Sequence, residues 1–132
     1  MTELRISLPS ATARQSLAQR LGLPYADTMQ DWEWEVASPD RFEDFLHAYR
    51  TADLYDDERV SLMEMLIQCV EDMHASATAW GAIEPLLHAR PDLHGASVVY
   101  WAMPQEEDED NLRQVSRHMR KLLRAIASEH SR

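Results

Sequence analysis

The chain has one cysteine and three glycines in 132 residues, and both scarcities exclude chemistry. With Cys69 alone there is no intrachain disulfide and no thiolate metal cluster. Its setting, LIQCVEDM on a helical pattern, predicts an inert buried thiol rather than a nucleophile. Gly22, Gly81 and Gly95 cannot build a glycine-rich phosphate loop, and Gly95-Ala96-Ser97 lacks the second glycine of a GxSxG nucleophile turn. Long apolar runs are missing as well: nothing approaches the roughly 18 residues needed to span a bilayer. The start, MTELRISLPS, carries Glu3 and has no apolar signal region, so the expected location is the cytoplasm, with no membrane partner. Six histidines are present (His47, His74, His88, His94, His118, His130), but they form no HExxH and no pair at i, i+3 or i, i+4. No catalytic residue, no metal ligand and no cofactor site is therefore assigned, although a site assembled only in three dimensions stays open.

Acidic residues, by contrast, are abundant. The net charge is −10, and residues 25–111 hold 21 acids against Arg41, Arg50, Arg59 and Arg90, a net of −17. Such a block repels nucleic-acid phosphates and anionic lipid and attracts basic partners; it also serves plain solubility. The closing segment, 112–132, is basic, but RQVSRHMRK has no aromatic residue beside its cations and an acidic body nearby, so no nucleic-acid partner is expected. Neighbouring carboxylates such as Asp56, Asp57 and Glu58 fall at a helix start, where capping and the helix dipole explain them better than acid–base catalysis.

The pattern along the chain predicts a mainly α protein, a compact single-domain helical bundle of about five to six helices with at most a small N-terminal β element. Leu4, Ile6 and Leu8 alternate as a short strand before Pro9, and Trp32, Trp34 and Val36 alternate with Glu33, Glu35 and Ala37 as an extended segment. Between them Ser10 caps a helix that Gly22 stops. Ser38-Pro39-Asp40 starts the next helix, with Phe42, Phe45, Leu46 and Tyr49 as its stripe. The run DDERVSLMEMLIQCVEDM carries two apolar rows, Val60-Met63-Ile67-Val70 and Leu62-Leu66-Cys69-Met73, and is the helix expected to be most buried. A helical pattern from Ser76 to Arg90 contains Pro85, which predicts a break near Gly81 to Pro85. Asp92 caps a further segment for which helix is favoured over strand, despite Val98-Val99-Tyr100-Trp101. The acidic run 106–110 then feeds the first turn of a last helix. All of 1–132 reads as one helical domain, its segment 1–37 packing on a helical core 38–128.

The residues singled out for protein binding are Asp31, Trp32, Glu33, Trp34 and Glu35 in MQDWEWEVA, with Glu106, Glu107, Asp108, Glu109 and Asp110. For Trp32 and Trp34 burial is the first expectation, and exposure would make them aromatic anchors. MQDWEWEVA, DRFEDFLHAYRTADLYDDERVSLMEMLIQCVEDM and LLHARPDLHGASVVYWA with its acidic sequel together resemble a family of small, acidic, uncharacterised bacterial proteins. Some relatives of that family resemble immunity proteins of polymorphic or contact-dependent toxin systems. The resemblance spans most of residues 29–124 and implies a helical, non-catalytic protein that binds another protein, for which a basic toxin domain is the expected partner. Two alternatives remain beside it: a small enzyme using clustered carboxylates and histidines with a divalent metal, and a structural subunit.

Overall fold

The computed structural model describes residues 10–130. Seven α-helices and two 3₁₀ turns, and no strand, make up the regular structure of those residues: the protein is mainly α. The expected strand at 4–8 lies outside them. The chain divides into two compact units, Met1–Cys69 and Val70–Arg132.

The first unit holds α1 (Ala11–Leu21), α2 (Trp32–Val36), a 3₁₀ turn (Pro39–Arg41), α3 (Phe42–Thr51) and most of α4 (Asp56–Asp72). Ser10 begins α1 as expected, its hydroxyl accepting the Ala13 N–H at 3.1 Å. Gly22 ends it in the left-handed conformation, φ 66°, which lets the Leu23 N–H return to the Ala18 carbonyl at 2.8 Å. The start of α4 is tied back on α1 by carboxylates. Glu58 accepts from the Tyr55 N–H at 2.9 Å, as the third residue of a capping box does, and its other oxygen accepts from Ser16 Oγ at 2.8 Å. Asp57 accepts from Ser10 Oγ at 2.9 Å. Along α4 the two apolar rows are inside except at their end: Val60, Leu62, Met63, Leu66, Ile67, Cys69 and Val70 are all buried, whereas Met73 falls past the helix and is partly exposed. Cys69 points its thiol at the Ser38 carbonyl, 3.3 Å away.

Residues 32–36 are helical, not extended, which corrects the period-two reading. The Asp31 carbonyl accepts the N–H groups of Trp34 and Glu35 at 3.0 and 2.9 Å. Residues two apart on a helix point to opposite sides, so the tryptophans do not share a face. Alternation misled because it assumes that glutamate faces water, whereas Glu33 is buried, more deeply than Trp34 and Val36 beside it.

The second unit holds the end of α4, then α5 (Ala77–Ala89), α6 (Pro91–Ala102), a 3₁₀ turn (Glu109–Asn111) and α7 (Ser116–His130). α6 packs along α7, and α5 touches both. The turn after α4 places His74 and Ala75 at φ 58° and 51°, and the Ala75 N–H closes on the Val70 carbonyl at 2.8 Å. α5 runs unbroken through Pro85, contrary to the expected interruption. Its start is capped by Ser76, and Ala79, Trp80, Ile83 and Leu87 are buried on both sides of the proline, so packing offsets the one lost hydrogen bond. Segment 91–102 is a helix as favoured, but Pro91 opens it, and Asp92 belongs to its first turn instead of preceding it. There Asp92 pairs with Arg90 at 3.1 Å, and that hydrogen bonding lowers its carboxyl below the ordinary value.

Residues 106–110 do not enter the last helix. α7 starts at Ser116, and the turn that leads into it is held by a different acid: Glu71 accepts from the N–H groups of Gln114 and Val115, both at 3.0 Å. Arg120 on α7 closes the other junction. Its guanidinium donates to the carbonyls of Ala102, Met103 and Glu106, satisfying the C-terminal end of α6, where Met103 turns left-handed at φ 51°.

Candidate protein-binding surface

The residues singled out in MQDWEWEVA separate by role. Trp32 is fully buried, its indole N–H donating to the Pro24 carbonyl at 2.7 Å and its ring meeting Tyr25 edge-on at 6.2 Å. Glu33 is 4% exposed and receives Arg14 in a bidentate pair, Nε to Oε2 at 2.7 Å and Nη2 to Oε1 at 2.8 Å. Ser61 on α4 adds a third donor at 2.9 Å. The Glu33 hydrogen bond holds the Arg14 guanidinium above its ordinary pKa, against the opposite effect of burial. This pair joins α1, α2 and α4, and its carboxylate is buried, so Trp32 and Glu33 leave the set of accessible binding residues. Trp34 is half-buried and donates to Glu64 at 3.2 Å, while Asp31 and Glu35 are exposed.

The acidic run is a built segment, not a loose one. Glu106 accepts the Asp108 N–H at 3.1 Å, and Asp108 accepts the Asp110 N–H at 3.0 Å, so two side chains hold the backbone in consecutive turns. Glu107, Asp108, Glu109 and Asp110 are exposed and Glu106 partly so. Glu109 and Arg117 approach at 3.5 Å across solvent, a contact worth little. A shallow cavity of about 230 Å³ lies beside the run, lined by Glu109, Asp110, Leu112, Arg113, Gln114 and Arg117. Arg113 reaches from it to the aromatic end of α6, 5.7 Å from the Tyr100 ring and 4.9 Å from that of Trp101.

Sequence reasoning passed over the aromatic side of this surface. Val99 and Tyr100 are 44% and 49% exposed, and in sequence they signal only strand or helix. The available signal was the uncharged stretch Leu93 to Met103, in a chain of which 27% is charged.

The buried carboxylates of Glu33 and Glu58 are occupied by donors from their own unit. Among the described residues no three His, Cys, Asp or Glu side chains are grouped to hold a metal ion, and no helix is long and apolar enough to cross a membrane. A second cavity of about 230 Å³ is bordered by Glu84, His88, His118 and Lys121. Its histidines are engaged, His118 stacked on Trp80 at 5.0 Å and His88 at 2.8 Å from Glu129.

No family model, curated protein or solved structure matches the chain.

Proposed function

We propose that the protein is a non-catalytic acidic binding protein whose partner presents a basic surface, and that this partner is a toxin domain which it neutralises as an immunity protein. The observation that carries the proposal is the run Glu106, Glu107, Asp108, Glu109 and Asp110, which is held in shape by its own carboxylate-to-amide bonds and turned to solvent. A fixed, single-sign segment of this kind speeds encounter with a cationic surface and opposes anionic ones. Asp31 and Glu35 extend the acidic character to the first unit. A toxin that acts on a phosphate-bearing substrate must itself be basic at its mouth, and an acidic protein docked there blocks it sterically and electrostatically. The test is the C-terminal domain of the toxin encoded immediately upstream of this gene. Equimolar protein should abolish its activity, and Glu107→Gln/Asp108→Asn/Glu109→Gln/Asp110→Asn should weaken the protection while leaving the melting temperature unchanged. An upstream gene that encodes no toxin, or a toxin domain that stays active, overturns the reading.

A further inference from the structure

An acidic rim sets the rate of encounter but does not hold a complex together; a lasting complex needs apolar area in the middle of the contact. Trp32 cannot supply it, being fully buried. α6 is the element with apolar area to spare. Its inner side carries Leu93, Val98, Trp101 and Ala102, all buried. Its outer side, at the i, i+3, i+4 spacing of one helix face, carries Ala96, Val99 and Tyr100, all exposed. A helix that is apolar all round is normally covered all round, yet this face meets solvent. Its C-terminal flank is acidic, since the 106–110 run begins where Arg120 binds the end of α6, whereas at the other end Asp92 is already paired with Arg90. Arg113 makes the surface continuous, since its guanidinium touches the Tyr100 ring and also lines the cavity beside Glu109 and Asp110.

We infer that the outer face of α6, centred on Val99 and Tyr100, is the docking site for a protein whose contact surface is an apolar side chain with lysine or arginine on the side that meets 106–110. The charge of the 106–110 run selects this occupant, because an anionic partner would be repelled there. The cations that a second copy carries at the two ends of this face are already engaged, Arg90 by Asp92 and Arg113 by the Tyr100 and Trp101 rings. The inference rests on the proposed function and adds the place where the partner is held.

The experiment is surface-plasmon kinetics of the full chain against the upstream-encoded toxin domain in catalytically inactive form, for wild type, Tyr100→Ala and Val99→Lys. Both positions are about half exposed, and thermal melts of each variant verify the fold. The expected result is that Tyr100→Ala dissociates at least about tenfold faster with little change in association rate, as an anchor residue does. Val99→Lys should lose more by adding a cation against a basic surface. Variants that retain the fold and dissociate at the wild-type rate overturn the docking site while the proposed function stands. A wild-type chain that binds no toxin domain overturns both. Sedimentation provides a further arm: concentration-dependent dimers that Val99→Lys dissolves would assign the face to self-association and overturn the inference.

Discussion

Trp32→Ala is expected to lower the free energy of unfolding by about 3–5 kcal/mol, measured by urea denaturation at constant slope. The indole is fully enclosed, so the substitution removes its apolar burial and leaves a cavity that α2, five residues long, has limited means to fill. It also leaves the Pro24 carbonyl without the indole N–H that now donates to it at 2.7 Å. Trp34→Ala is the internal control. That side chain is only partly buried, and its loss should cost distinctly less. Equal costs at the two positions would mean that the two tryptophans are equally buried and that α2 is misplaced.

The second large effect belongs to the Arg14–Glu33 pair. Arg14→Ala removes both guanidinium bonds from a carboxylate whose side chain is 6% exposed, leaving it only Ser61, and should cost about 3–5 kcal/mol. The matched double replacement Arg14→Met/Glu33→Leu removes the charge along with its partner. It should cost less than the sum of the two single changes, because much of each single penalty is the stranded partner rather than the bond itself. Strict additivity in this cycle would show that the two side chains do not interact in solution. High salt provides a separate check. A surface pair would weaken by screening, whereas this one should respond little.

How far the chain could be read beforehand depended on whether the deciding partner was local. The limits of α1 were legible because Ser10 and Gly22 act on backbone groups three or four residues away. α4 was legible because two apolar rows on one helix can only be satisfied by burial. The helix at 32–36 was not, because what draws Glu33 inward is Arg14, 19 positions earlier, and Ser61, 28 later. Pro85 was overread for the same reason: its local cost is real, but the apolar residues around it are buried by the rest of the unit. The start of α7 was placed too early because five consecutive acids suggest a helix N-terminus. The acid that actually serves it, Glu71, is more than forty residues away. Of the candidate surface, the acidic half was visible as composition. The aromatic half was not, because exposure of Val99 and Tyr100 is a property of what leaves one side of α6 uncovered.

The claim that an acidic surface recruits a basic partner is tested most directly by stopped-flow association with the proposed partner, a toxin domain encoded beside this gene, over a series of salt concentrations. The account predicts a rate that falls steeply as salt rises, and a variant neutralised at Glu107, Asp108, Glu109 and Asp110 that is slower at low salt and converges on wild type at high salt. An association rate indifferent to both salt and these four charges would contradict it.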